Sequence, residues 1–438
     1  MKKEPNNLQS SLKKVRKIFK TIEKKDSIVN IPGSKSISHR AMICASLARG
    51  KSQIYNLLAS EDIDYTMSAL DKMGAQINKN RRGLIEVTGF NGKPKAFFDP
   101  IYLGNSGTSM RLLAGVAALG DSQYTLTGDK RMQQRPMGDL LNALEMAGID
   151  AVSEHGNNAP PIKIKGGEIK DGLQKGGKIS IDCSQSSQYL SSLLMMGAIF
   201  KEGLIISLPT SPVSTPYIDL TMDIMQQFNV HAKKIDDLEY HVPGCQKYTP
   251  QKFIVEPDIS NASYFWAAGA VTQKMVRVAN ITQDSLQGDL RFLDILEQMG
   301  CFIEFDANGA GVKGGDLKAV EVDMSDIPDV VPTLAVIAAF ARGKTIIKNI
   351  AHLREKECDR IDAVVSQLNK MNIESEQGDT WLSVKGGRPK GASIETFNDH
   401  RIAMAFSIAG LKVQGMKIKN PGCVKKSFPA FWEVFDKL

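Results

Sequence analysis

Three serines and two cations crowd one short run, Pro32-Gly33-Ser34-Lys35-Ser36-Ile37-Ser38-His39-Arg40. A helical pattern follows to about Arg49, with Ala41, Ile43, Cys44 and Leu47 on one side. The first turn of a helix has unpaired backbone N–H groups and a partial positive charge, so hydroxyls and cations placed there suit an anion. Taken alone, the run also fits a serine-capped helix whose Lys35 and Arg40 face water. Five further stretches repeat the arrangement, which argues against that bland reading. They are Gly104-Asn105-Ser106-Gly107-Thr108-Ser109-Met110-Arg111, Ser184-Gln185-Ser186-Ser187-Gln188, Asp258-Ile259-Ser260-Asn261-Ala262-Ser263, Asp326-Ile327-Pro328-Asp329 and Asn398-Asp399-His400-Arg401. Lys35, Arg40, Arg111 and Arg401 bring positive charge to these starts. Asn105, Ser186, Ser187 and Gln188 bring neutral hydrogen-bonding groups, and Asp329 a carboxylate. Two charged runs accompany them, residues 129–136 and 354–360; the second, by itself, would pass for a solvated face.

These starts need elements to position them. Each opens an apolar helix that ends in a turn and then a strand. The turns fall at 50, 120, 203, 274, 343 and 415, in steps of 70, 83, 71, 69 and 72 residues. All units but the last continue with a second helix, closed by Met73-Gly74, Ala147-Gly148, Phe228-Asn229, Met299-Gly300 and Met371-Asn372, where Gly and Asn tolerate the left-handed turn. The unit therefore runs strand–helix–strand–helix–strand–strand. The predicted class is α/β, with two domains of three units each and helices packed on sheets. The polar stretch Pro243 to Pro257 is the best break. The expected division is a basic extension at 1–25, a first domain at 34–256, and a second at 26–33 plus 257–438. Ile28, Val29 and Ile31 form a strand leading into the first helix.

Composition limits the function classes. The net charge of +7 lies entirely in residues 1–25, which hold nine Lys/Arg and two Glu; the remaining 46 basic and 46 acidic side chains cancel. The body is thus no nucleic-acid surface, and any anion site in it is a local cluster of cations. Residues 1–25 read as a solvated extension without the apolar stretch of a secretory signal. No apolar run approaches the ~20 residues of a membrane span. Six scattered cysteines without C-x-x-C, and six histidines without H-x-H or H-x-x-x-H, predict no protein-built metal site and a reducing, cytoplasmic setting.

The chain resembles the 5-enolpyruvylshikimate-3-phosphate synthase family of enolpyruvyl transferases. Nine stretches carry the likeness in family order: 32–40, 104–111, 131–136, 186–190, 214–220, 327–329, 356–360, 398–401 and 426–429. The resemblance implies an inverse α/β barrel in each domain and a reaction that joins shikimate 3-phosphate to phosphoenolpyruvate with release of phosphate. It assigns Lys35, Ser36, Arg40, Ser186, Ser187, Gln188, Ser214, Asp329 and Lys356 to shikimate 3-phosphate. It assigns Lys35, Gly107, Arg131, Gln188, Arg360, Arg401 and Lys426 to phosphoenolpyruvate. Asp329 is implied to take the hydroxyl proton, Glu357 to exchange a proton at carbon, and Lys35 to stabilise charge on phosphate. Both substrates are polyanions, and the planar fork of Arg suits their carboxylates and phosphates. No cofactor or metal is implied, no nucleic acid or membrane partner, and a monomer is expected. Inhibition by glyphosate, competitive with phosphoenolpyruvate, is implied as well. Leu112 and Cys358 depart from the family pattern. The related UDP-N-acetylglucosamine enolpyruvyl transferase uses a loop cysteine that residues 128–137 lack. A non-catalytic phospho-metabolite binder would not need Lys35, Asp329 and Glu357 together. A P-loop at Gly343-Lys344-Thr345 fails because Ala338 stands at the first glycine.

Overall fold

Six small sheets account for the described strands, one for each sequence unit. The structure is a computed structural model that describes residues 15–18, 22, 26–80, 83–166 and 175–438. The third unit shows the pattern in full. Gly177–Ser180 runs parallel to Leu204–Ser207, which pairs antiparallel with Glu239–Val242, and that strand pairs antiparallel with Lys233–Lys234. A parallel pair needs a crossover, and the Ser187–Gly197 helix supplies it.

The six crossover helices are Lys35–Leu47, Gly107–Ala117, Ser187–Gly197, Ile259–Thr272, Val331–Ala338 and His400–Ala409. Every residue of Val331–Ala338 and of His400–Ala409 is buried. A helix apolar on every side belongs inside a core, with sheets around it. The fifth ends at Ala338, short of the expected Arg342, because its last turn tightens to three-residue bonds, Phe340 N–H to Ile337 O at 2.9 Å and Ala341 N–H to Ala338 O at 3.1 Å. Two separate hydrophobic cores result. One gathers side chains from Ile37 to Val255; the other gathers Ile18, Ile22 and Val29 with side chains from Ile259 to Leu438. They define two lobes.

The lobes exchange a strand. Asp26–Val29 precedes the first helix as expected, and it pairs in the fourth sheet, parallel to Met275–Val278. The first sheet takes Lys252–Ile254 instead, parallel to Lys51–Tyr55. The chain crosses between lobes twice, and the crossings hold each other. Gly33 bridges Pro257, Ser34 N–H donates to Glu256 O at 2.7 Å, and Asp258 N–H donates to Pro32 O at 3.0 Å. A Cβ on Gly33 would lie 2.0 Å from Asn56 O, so only glycine permits this approach.

The solvated-extension reading is corrected for residues 15–18 and 22; residues 1–14, 19–21 and 23–25 lie outside the described part. Val15–Lys17 pairs antiparallel with Lys417–Lys419 and completes the sixth sheet, which lacks a hairpin of its own. Ile18 and Ile22 are buried in the second core, and Ile18 lies against Gly410. Arg16 pairs with Asp436 and sits 4.5 Å over the Trp432 ring. The alternation of core and solvent positions here is too short to register as a strand in the sequence. Ile18→Ala should cost about 2–5 kcal/mol, as other buried large-to-small changes do. Urea unfolding measures this; an unchanged midpoint would return the segment to solvent.

Candidate active site

Serine or aspartate caps position the site. Ser34, Ser106, Ser186, Asp258 and Asp399 each accept a backbone N–H from the first turn of their inner helix. Capping fixes where each helix begins, and first-turn residues of all of these but the fourth helix open onto one cavity between the lobes. Its wall comprises Lys35, Ser36, Arg40, Asp62, Gly107, Thr108, Arg135, Ser186, Ser187, Gln188, Ser214, Tyr217, Pro328, Asp329, Lys356, Glu357, Arg360 and Arg401. The wall carries six cations and three carboxylates, so it favours a multiply charged anion.

On the second lobe, Arg360 is shared by three carboxylates. Its Nε donates to Asp399 at 2.8 Å, one terminal nitrogen to Asp329 at 3.1 Å, and the other to Glu357 at 2.7 Å. Arg401 pairs with the second oxygen of Asp329. Burial pushes the Asp329 carboxyl up, but Arg401, Arg360, Lys35 and Lys356 outweigh it and hold the group ionised. Burial also raises Glu357, and here Arg360, Lys426 and Arg135 win, leaving it well below the usual carboxylate range. Lys426 donates to Asp62 at 3.1 Å and lies 3.5 Å from Glu357. Asp62 also lies 3.5 Å from the Lys35 ammonium, so one carboxylate of the first lobe spaces two lysines.

On the first lobe, the Arg40 guanidinium has, among the described residues, only neutral acceptors: Thr221, Ser191, and the carbonyls of Ser36 and Tyr217. Burial lowers it to about 10. Arg135 is likewise buried and lowered to about 10, with Arg111 as a repelling neighbour. Gln188 is oriented by Arg111 at 3.1 Å and donates to Thr108 at 3.0 Å. Glu357 and Asp62 partly offset the charge of Arg135, whereas Arg40 has no carboxylate among its hydrogen-bond partners, a countercharge that an incoming anion would supply.

The structure brings together thirteen of the fifteen residues expected from the sequence. The exceptions flank the cavity. Arg131 turns its guanidinium to the carbonyls of Arg354 and Lys356, at 3.1 and 2.9 Å, bracing the segment that carries Glu357. Lys426 lies behind Glu357 and Asp62. Sequence reasoning did not select Asp62, Thr108, Arg135 or Tyr217. Arg135, Thr108 and Tyr217 stood inside quoted stretches, whereas Asp62 opens the Glu61–Lys72 helix with no motif around it. Leu112 packs in the first core, and Cys358 lies against Asp399.

Six repeated α/β units, and a cleft whose carboxylates sit among surplus cations, define a two-lobed protein built to receive polyanions. The profile of the EPSP synthase (3-phosphoshikimate 1-carboxyvinyltransferase) family matches residues 19–435, and the chain belongs to that family. It is 41% identical over 421 residues to the 3-phosphoshikimate 1-carboxyvinyltransferase of Vibrio campbellii, covering 95% of this chain and 97% of the relative. The enzyme of the same name from Nostoc punctiforme is 40% identical, with 94% and 96% covered. Among solved structures, an EPSP synthase from Acinetobacter baumannii superposes with a TM-score of 0.79 at 27% identity, covering 96% of this chain and 97% of that one.

Burial pushes the Lys356 ammonium down to about 7; Asp329 opposes the shift, while Arg360, Arg111 and Arg135 add to it. An anion in the cavity favours the charged form, so the bound-state value must lie higher. Anion affinity is therefore full below about pH 6 and falls as pH rises past 7, by up to about tenfold per unit. Sulfate, dianionic across this range, is the ligand to titrate. Lys356→Arg should flatten the profile; a flat wild-type profile would show that Lys356 stays charged.

Proposed function

We propose that this cavity performs the transfer as follows: the carboxyvinyl group of phosphoenolpyruvate passes to the 5-hydroxyl of shikimate 3-phosphate, and phosphate is released. The family membership supports the reaction. The observation that carries the assignment of roles is the pair of carboxylates, Asp329 and Glu357, held on one guanidinium among surplus cations. Lys35, Ser36, Arg40, Ser186, Ser187, Gln188, Ser214 and Lys356 hold shikimate 3-phosphate. Lys35, Gly107, Gln188, Arg360 and Arg401 hold phosphoenolpyruvate, and we add Arg135 from the wall. Arg131 and Lys426 act from just behind it.

Asp329, ionised, takes the proton of the attacking hydroxyl as its oxygen bonds to C2 of phosphoenolpyruvate. A proton from Glu357 reaches the methylene carbon, giving a tetrahedral intermediate. The C2–O bond to phosphate then breaks as a methyl proton returns to Glu357, and Lys35 stabilises the departing phosphate. Glu357 must therefore hold a proton at the first step, although the ligand-free site keeps it ionised. Two bound polyanions cancel the field of Arg360 and Lys426, and burial then raises the carboxyl. The same reading treats 34–256, and 26–33 plus 257–438, as the domains that meet at the cleft. It also takes the chain to act as a monomer in the cytoplasm; its six cysteines are unpaired, and no described helix is long and apolar enough to cross a membrane.

Phosphate release from the two substrates together, and from neither alone, tests the reaction. Glu357→Gln should lower turnover by about 10²–10⁴ while both substrates still bind, as loss of an acid/base group does. A near-wild-type rate would remove Glu357 from the chemistry. A Cβ at Gly107 would fall 2.5 Å from the Arg135 guanidinium, which must then shift. Overpacking of about 1–3 kcal/mol corresponds to roughly 5- to 150-fold in affinity. Gly107→Ala should raise the glyphosate inhibition constant by that factor; equal constants for the two proteins would defeat the steric argument.

A further inference from the structure

The turn at 213–217 in the first lobe meets the 325–329 segment of the second through four hydrogen bonds. Ser214 donates from N–H and from Oγ to Ser325 O, at 3.1 and 3.4 Å. Thr215 donates from Oγ1 and from N–H to one oxygen of Asp326, at 2.9 and 3.2 Å. Pro216 packs against Gly288, beside Ile327. Both partners of this contact run directly into the cavity. Ser214 and Tyr217 line it from one side, and Pro328 and Asp329 from the other. Ser214 holds a left-handed backbone, φ 56°, which a serine keeps only when its surroundings impose it. Thr215 precedes the Pro216–Gln227 helix, yet its hydroxyl makes no cap bond there. The hydroxyl is committed across the cleft instead.

We infer that Asp326 and Thr215 are positioning residues that latch the lobes. By gripping Thr215, the Asp326 carboxylate seats Ser214 in the cavity and fixes the segment that presents Asp329 three residues on. The inference deepens the proposed function and rests on it for the substrate named in the test. Bonds made only when the lobes meet shift the population of the binding-competent form, so their loss weakens apparent affinity and is recovered at saturation.

Asp326→Ala and Thr215→Val should each raise the KM for shikimate 3-phosphate by roughly 10- to 100-fold, the range for a hydrogen bond to a charged group. Turnover at saturation should stay within about threefold. Thr215→Ser, which keeps the hydroxyl, should behave as wild type. The double variant should be no worse than the worse single one, because both remove the same bond. A wild-type KM in either single variant, or effects that multiply in the double variant, would overturn the latch. If Asp326→Ala does not fold, Thr215→Val against Thr215→Ser decides alone. If the wild type itself releases no phosphate, the functional reading falls. The latch is then judged by hydrogen exchange at 212–218 and 323–331 in the ligand-free protein. Faster exchange in Thr215→Val than in wild type supports it, and equal exchange refutes it.

Discussion

A single buried guanidinium constrains the second half of the site. Arg360 is almost wholly out of water, and a charge so placed must be paired. Its three carboxylates come from three segments: Asp329 before the fifth inner helix, Glu357 in the loop ahead of Arg360, and Asp399 at the cap of the sixth. Asp399 also accepts the Arg401 N–H at 2.8 Å, so the same carboxylate that satisfies Arg360 fixes the start of the helix bearing Arg401. Arg401 in turn holds Asp329. The two carboxylates proposed to transfer protons are thus located by charge pairing: moving Asp329 would take the carboxylate from Arg401, and moving Glu357 would take one of three from Arg360.

The first lobe is built on the opposite principle. Arg40 is buried against neutral oxygens, Arg135 donates to Asn105 with Glu357 and Asp62 only partly offsetting its charge, and burial lowers both. Charge pairing organises one wall, and a guanidinium held by neutral acceptors, Arg40, makes the other receptive. A polyanion bound between them satisfies both. On the proposed roles, Glu357 is ionised in the ligand-free site and becomes an acid when bound polyanions neutralise the cations that hold it down.

Several contacts between the lobes are polar. Arg131 reaches backbone carbonyls of the Glu357 segment, Lys426 reaches Asp62, and Thr215 reaches Asp326. Such bonds form and break with little loss of apolar burial, unlike the packed interior of each lobe. The two crossings at 30–33 and 255–258 hold the lobes together covalently and pair with each other, leaving the polar faces to set how closely the cleft is drawn together.

Periodicity was legible in the chain because it is local. A polar cap, an apolar helix, a turn and a strand recur within about seventy residues, and each cap sits beside the side chains it presents. Ser34, Ser106, Ser186 and Asp399 could therefore be found by their spacing, and with them most of the cavity. The family likeness supplied roles for Arg360, Glu357 and Lys426 that no spacing implies. Only the tertiary structure decided which strand completes which sheet. The expected division set 26–33 with the second domain and 252–254 with the first, but nothing in either short strand states which strand it pairs with. It alone placed Val15–Lys17 in the last sheet, since a three-residue strand draws its stability from partners some four hundred residues away. It alone brought Asp62 between Lys35 and Lys426, and turned Arg131 to the backbone while Arg135 took the wall. Those outcomes depend on contacts between distant segments, whose energies appear only when the lobes are assembled, whereas caps and helices are determined by their immediate neighbours.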